Sequence, residues 1–143
     1  MRFSLPEDGG RRPLQTTLGV LAGIPFATGI VDIIAGPDML LGGRNHVTAS
    51  LDSEFRFAST FWCAVGPLIW SKLSRIDDDS PVLPLAIGTV FLGGFARSRS
   101  WRVRGRPHAV FVGATALELI GMPIVLAWHR HVVRQARAAR RMS

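Results

Sequence analysis

Four long stretches of the sequence contain no charged residue, and this segregation limits the folds that the chain can adopt. They cover residues 14–31, 57–71, 80–96 and 107–128, and Glu118 alone interrupts the last one. A helix on the surface of a soluble protein keeps a polar face, whereas these stretches are apolar on all sides. About 20 apolar residues of helix cross a bilayer core of about 30 Å. We therefore predict an all-α integral membrane protein, a four-helix transmembrane bundle.

Charged and turn-forming residues between the stretches divide the chain of 143 residues. An N-terminal segment at residues 1–13 and a basic tail at 130–143 flank a four-span transmembrane domain at 14–129. The predicted spans cover about residues 14–35, 53–71, 81–97 and 107–129. Three of them contain a proline near mid-depth, where a missing N–H bends a helix. These are Pro25, Pro67 and Pro123.

The distribution of basic residues predicts the orientation of the spans. Of 17 basic residues, ten fall in the terminal segments and the second loop, and six fall in the first and third loops. Because cytoplasmic loops carry the excess of Lys and Arg, we predict that both termini are cytoplasmic. Arg11 and Arg12 precede an apolar run, as in some export signals, but that run is longer than a signal core and three further spans follow it. We interpret this pair as a topological anchor.

Charged residues from all four spans fall in the outer half of the predicted bundle. At 1.5 Å per residue, Glu118 lies close to the midplane and the others lie nearer the outer surface. A charge at the bilayer centre costs at least about 2.5 kcal/mol, so such residues are usually paired and often functional. We predict an intramembrane charged cluster that either locks the helices together or binds a ligand. Its members are Asp32, Glu54, Arg56, Arg97 and Glu118.

Two pairing expectations follow for this cluster. Glu54 and Arg56 are two residues apart and point about 200° away from each other, so each is expected to need a partner on another helix. Glu118 is expected to bind an arginine from another span, because a guanidinium holds a carboxylate through two hydrogen bonds. Depth favours Arg56 over Arg97 as that partner.

Weaker signals concern packing and the lipid surface. Gly19 and Gly23 are spaced as in helices that approach closely. The only cysteine, Cys63, is interpreted as a small buried apolar residue. Arginines of the tail recur at helical spacing and are expected to contact anionic lipid head groups. They are Arg130, Arg134, Arg137 and Arg141.

No pattern in the sequence predicts a metal site. The three adjacent acids Asp77, Asp78 and Asp79 are expected to be solvated on a turn, since no other ligands accompany them. His129 and His131 point to different faces of a helix and form a poor pair of ligands. Neither a nucleophile–base pair nor a phosphate-binding loop is visible, so we expect neither catalysis nor a cofactor.

Several short motifs resemble a known family. LDSEFRF at 51–57, FLGGFARSRS at 91–100, and GRPHAVF and LELIGMPIVLAW within 105–128 resemble the small bacterial four-helix membrane proteins of domain of unknown function 4345. The resemblance covers about residues 14–132 and implies four transmembrane helices in the bacterial cytoplasmic membrane, with no assigned reaction. The matching positions are Ser53, Glu54, Arg56, Gly93, Gly94, Arg97, Pro107, His108 and Glu118.

The sequence leaves two main hypotheses for function. The first is a non-catalytic accessory or assembly subunit of a larger membrane complex, such as a lipid transporter, with membrane lipids and other membrane subunits as partners. The alternative is a carrier or binding protein for a lipid, an amphiphile or an ion that uses the charged cluster. An enzyme acting on a lipid or quinone ranks third. Nucleic acid is not an expected partner, because no surface of interleaved aromatic and basic residues is present to stack bases.

Overall fold

The computed structural model describes residues 10–42 and 46–142, and every regular element within these ranges is helical. The helices are α1 Arg11–Leu21, α2 Gly23–Ala35, α3 Ala49–Trp70, α4 Val82–Arg104, α5 Ala109–Ala116 and α6 Met122–Met142. A π-helical segment, Leu117–Gly121, joins α5 to α6. Because α1 continues into α2, and α5 continues through the π-helical segment into α6, the helices form four rods. The predicted all-α class is confirmed.

Two of the four rods, Arg11–Ala35 and Ala109–Met142, are long and apolar enough to cross a membrane. A buried core helix or an N-terminal signal segment has the same length and composition, so these properties alone are weak evidence for membrane insertion. All four rods also expose large apolar side chains. Examples are Ile34, Phe61, Leu92 and Ile120.

Two prolines explain where the first and last rods change their helical geometry. Pro25 has no N–H to donate to the preceding turn, and the helix is interrupted just before it, at Ala22. Pro123 follows the π-helical segment, in which the N–H of Met122 donates to the carbonyl of Leu117, five residues back. This wider turn inserts one extra residue into the helical repeat, as π-bulges do. Pro67 lies inside α3, close to the end of that helix.

Glycines bring α2 and α3 into direct backbone contact. A Cβ atom built on Gly29 would lie 2.7 Å from the Cα of Cys63. One built on Gly66 would lie 2.7 Å from the carbonyl oxygen of Ala22. Along α3 the contacts run from Cys63 to Gly66, while along the first rod they run back from Gly29 to Ala22. The two helices are therefore antiparallel. Cys63 therefore fills space between helices, as a small apolar residue does.

The predicted packing at Gly19 and Gly23 holds only for Gly19, whose carbonyl accepts a hydrogen bond from Nε1 of Trp70 on α3 at 2.9 Å. A Cβ atom on Gly23 would meet no described atom within 4 Å, and one on Gly19 would meet only the side chain of Leu73, at 3.3 Å. The four-residue spacing places two glycines on one face of a helix, but it does not say which face meets a neighbour. The closest backbone contact with α3 is made at Gly29, not at Gly23.

Ion pairs close the end of the bundle where α1 begins and α6 ends. The acidic turn between the 3₁₀ turn Leu73–Arg75 and α4 contacts arginines from both rods, so its acids are ion-paired as well as solvated, with Asp79 still 71% exposed. The pairs are Arg11–Asp77 at 3.2 Å, Arg140–Asp77 at 3.1 Å, Arg140–Asp78 at 3.4 Å, and Arg137–Asp79. The predicted tail is therefore part of α6 and is held at its far end by the turn.

The α2–α3 contact predicts opposite effects for two glycine substitutions. Gly29→Ala should lower the free energy of unfolding by about 1–3 kcal/mol, because the new methyl group meets the backbone of Cys63. Gly88→Ala is the matched control, since a Cβ there meets no described atom within 4 Å and Ala favours helix by up to about 1 kcal/mol. Denaturant unfolding of the purified proteins in detergent measures both. Equal destabilisation by the two changes would contradict the packing described.

Candidate functional site

Glu118 is the only acidic residue buried in the described part of the chain, with 5% of its surface exposed. It lies in the π-helical segment, and its Oε1 accepts a hydrogen bond from Nε of Arg97 at 2.9 Å. Its Oε2 is also buried but has no hydrogen-bond partner among residues 10–42 and 46–142. The carboxylate is thus held on one oxygen and left with an unused acceptor on the other.

Two glycines of α4 allow this contact. A Cβ on Gly94 would lie 2.7 Å from Cγ of Leu119 and 3.1 Å from Cβ of Glu118, so only glycine lets α4 approach the π-helical segment this closely. A Cβ on Gly93 would lie 3.9 Å from Oε2 of Glu118. Arg97 follows about one turn later on the same side of α4, which brings its guanidinium to the carboxylate. The Gly-Gly-x-x-Arg motif thus has a direct geometric reason.

Arg97 is positioned by Phe111 as well as by Glu118. Its Cζ lies 5.7 Å from the centre of the Phe111 ring, within the range of a cation–π contact with α5. Only Nε donates to Glu118, and Nη1 and Nη2 make no hydrogen bond to another described residue. The side chain is 37% exposed. One edge of the guanidinium therefore stays available for a further contact.

Asp32 is the second carboxylate near Arg97. It lies on α2, is partly buried and makes no ion pair within 4.0 Å among the described residues, but it is in electrostatic range of the Arg97 guanidinium. Three members of the predicted cluster, Asp32, Arg97 and Glu118, are therefore brought together from three rods.

These three residues line a cavity of about 440 Å³ between the four rods. They are its only charged lining residues in the described part of the chain, and the rest of the wall is almost entirely apolar. Residues 39–41 of the first loop also line it. Trp62 stands in the wall, and its Nε1 donates to Oγ1 of Thr28 at 2.8 Å. Apolar side chains that line the cavity include Val31, Val65, Val90, Phe111, Ala114 and Leu117. The cavity has no signature in the sequence, because its walls are ordinary apolar residues of four separate segments.

Arg56 is not part of this site, so of the two arginines expected for Glu118 the partner is Arg97, and the preference for Arg56 is wrong. It forms a fork with Asp52 of its own helix, with Nε and Nη2 donating to the two carboxylate oxygens at 2.9 and 3.1 Å. Its Nη1 donates to the carbonyls of Ile33 and Ile34 at 2.5 and 2.9 Å. Asp52 precedes Arg56 by four residues, a helical pairing that was readable from the sequence. Arg56 therefore ties α3 to the C-terminal end of α2.

Gly36 completes this clamp. Its φ of 74° and ψ of −175° belong to a region that only glycine occupies readily. A Cβ there would also lie 2.5 Å from Nη2 of Arg56 and 2.8 Å from Oδ1 of Asp52. Glu54, by contrast, is exposed and makes no ion pair with another residue of the described ranges.

The predicted lipid-contacting arginines divide into two kinds. Arg130, Arg134 and Arg141 are exposed along α6. Arg137 is engaged by Asp79 at the acidic turn. None of the four approaches the cavity, whose lining ends at Met122 on this rod.

Residues 13–129 match the family described as Domain of unknown function (DUF4345), and the chain belongs to that family. No curated protein and no solved structure matches the chain. The matched region includes the whole cavity, together with Arg97, Glu118 and the clamp at Arg56.

The Arg97–Glu118 contact predicts non-additive effects on stability. Arg97→Gln and Glu118→Gln should each destabilise the protein, because each leaves a buried or half-buried partner without its counter-charge. The double variant should lose less than the sum, with a coupling free energy of about 0.5–3 kcal/mol. Unfolding of the four proteins of the cycle in detergent gives this value. Strict additivity would show that the pair contributes nothing.

The clamp predicts that two neighbouring charges of α3 differ in importance. Arg56→Gln should lower the Tm in detergent, because it removes the fork with Asp52 and the bonds to the carbonyls of Ile33 and Ile34. Arg56→Lys should lower it almost as much, since an ammonium keeps the charge but not the fork. Glu54→Gln is the control and should leave the Tm unchanged. A Tm that depends on Glu54 but not on Arg56 would contradict this assignment.

Proposed function

We propose that this chain is a four-span protein of the bacterial cytoplasmic membrane, with both termini in the cytoplasm, that binds an amphiphilic molecule between its helices. The observation that carries the proposal is the cavity of about 440 Å³, whose apolar wall surrounds one group of charged residues. Ligand pockets typically measure about 300–1,000 Å³ and combine apolar walls with a few placed polar groups. An apolar tail lies against the wall, and a polar head reaches Arg97 and Glu118.

Helix length and the position of charges support four spans. The helices α3 and α4 have 22 and 23 residues, which corresponds to about 33 and 35 Å at 1.5 Å per residue. A bilayer core is about 30 Å thick, so either helix is long enough to cross it. The charges of α3 lie in its first two turns, and those of α4 lie in its last two turns. Their central segments expose apolar side chains such as Phe61 and Leu92, as lipid contact requires.

Binding is favoured over the hypothesis of an accessory subunit because it rests on a positive feature. The accessory role was inferred from the lack of catalytic motifs, and no surface of the described residues specifies a protein partner. The cavity is lined by residues of all four rods and contains a carboxylate with an unused acceptor. These features suit the binding of a small molecule better than contact with another subunit. The tail arginines Arg130, Arg134 and Arg141 remain available for anionic head groups of the inner leaflet, which supports the same orientation.

Filling the cavity should remove the bound amphiphile. Ala114 lines the cavity, whereas Ala116, on the same helix, is exposed and does not. Ala114→Phe should therefore reduce the amount of lipid that copurifies with the protein by about tenfold, the change that about 1.4 kcal/mol produces. Ala116→Phe should leave it unchanged. Mass spectrometry of the protein released from detergent measures the ratio of lipid to chain.

Loss of lipid from both variants would indicate a general effect on the detergent-bound surface, and retention by both would contradict binding in this cavity. The helical circular dichroism of the two variants shows whether Ala114→Phe has kept the fold.

A further inference from the structure

The charges around the cavity specify the chemistry of the head group, and this inference rests on the proposed function. Two carboxylates, Asp32 and Glu118, both lie in electrostatic range of one guanidinium, that of Arg97. No other charged residue of the described ranges lines the cavity. The group therefore carries one more negative than positive charge when all three residues are ionised.

The hydrogen bonds show the same imbalance. Oε2 of Glu118 is a buried acceptor without a donor, and Asp32 receives no side-chain hydrogen bond among the described residues. Protonation of Glu118 would not correct this, because a protonated carboxyl group needs an acceptor for its own O–H. The unused Nη1 and Nη2 of Arg97 are not buried, whereas Oε2 of Glu118 is a buried acceptor without a donor, so a ligand that completes the buried part of the site must bring a donor.

We propose that the amphiphile carries a primary ammonium head, which donates to Oε2 of Glu118 and is neutralised by Glu118 and Asp32 together. An ammonium supplies three N–H donors and one positive charge, which matches both deficits. Hydrogen bonds between charged partners are about twice as strong as those between neutral ones. Arg97 then holds Oε1 and leaves Oε2 directed to the ligand.

Other head groups match the site less well. An anionic head would meet two carboxylates, a neutral alcohol brings a donor but no charge, and a quaternary ammonium brings charge but no donor. An inorganic cation would lack ligands, because no group of three or more His, Cys, Asp and Glu side chains occurs among residues 10–42 and 46–142. The primary ammonium is the only one of these heads that supplies charge and donors together.

The test uses four probes that share one saturated chain with a terminal bromine and differ only in the head. The heads are a primary amine, a trimethylammonium group, an alcohol and a carboxylate. The protein is reconstituted in phosphatidylcholine nanodiscs, whose quaternary heads do not donate hydrogen bonds. Bromine quenches nearby indole fluorescence, and Trp62 is the only tryptophan among the described residues that lines the cavity. The saturable quenching that is lost in Trp62→Phe measures occupancy.

The amine probe should bind about tenfold more tightly than the trimethylammonium probe, as expected for a hydrogen bond to a charged group of about 1.5 kcal/mol. Glu118→Gln should abolish this preference, because it removes the charged acceptor that only the amine probe can meet with both charge and an N–H donor. Asp32→Asn should also lower the affinity for the amine probe. It serves as a second variant if Glu118→Gln does not fold.

Equal affinity for the amine and trimethylammonium probes, or a preference that survives Glu118→Gln, would overturn the head-group inference. In either case the proposed function would stand, because the alkyl chain of the probe would still occupy the cavity. Tightest binding of the carboxylate probe would overturn the inference as well and would make Arg97 the principal contact. Failure of all four probes to quench Trp62 would reject the proposed function itself, and the inference with it.

Discussion

The burial of one carboxylate among apolar helices is the constraint on which the rest of this structure depends. A buried charge without a partner costs several kcal/mol, so Glu118 requires a cation within reach. Arg97 supplies it, and the close approach of α4 depends on Gly94, where a side chain would meet Leu119 and Glu118. Glu118 itself lies in the π-helical segment, where the helical repeat carries one extra residue. The ion pair and the glycine contact thus join α4 to the π-helical segment at the wall of the cavity.

Arg56 and Arg97 show that similar charges in one bundle serve different purposes. Arg56 uses all three of its nitrogens on Asp52 and on the last carbonyls of α2, where the helix dipole also favours a cation. These bonds hold it away from the cavity, which it does not line. Arg97 uses only Nε on its carboxylate, and Oε2 of that carboxylate has no donor. Bonding on all three nitrogens gives Arg56 a structural role, whereas the incomplete bonding around Arg97 is the feature on which the proposed site rests.

Much of the fold was predictable from hydrophobic patterning, whereas the contacts between helices were not. The four rods follow from the apolar stretches, and the helix irregularities follow from Pro25 and Pro123. The charged residues were also visible, because charges are rare in such stretches. Spacing alone could not show that Asp32, Arg97 and Glu118 come together while Arg56 pairs with Asp52. Asp52 competes for Arg56 from one turn away, and the face of α2 that meets α3 depends on helix rotation. Rotation is set by packing across the bundle, as the contact of Gly29 with Cys63 shows, and a periodic pattern leaves it open.

Under the proposed function, the incompletely bonded carboxylate must also be tolerated when no amphiphile is bound, and contacts away from the cavity offer a means for this. Ion pairs at the acidic turn fasten one end of the bundle, and the Arg56 clamp fastens the first helix pair at the other. Because the helices are held at points away from the cavity, the cost of the unused acceptor at Glu118 need not be relieved by a rearrangement of the rods. An occupant that supplies the missing donors gains that interaction without first moving the helices, so the site is preorganised for it. Any such occupant stabilises the folded chain in proportion to its affinity, because it binds the folded state alone. The stability of the bundle and the occupancy of the cavity are therefore linked through Glu118.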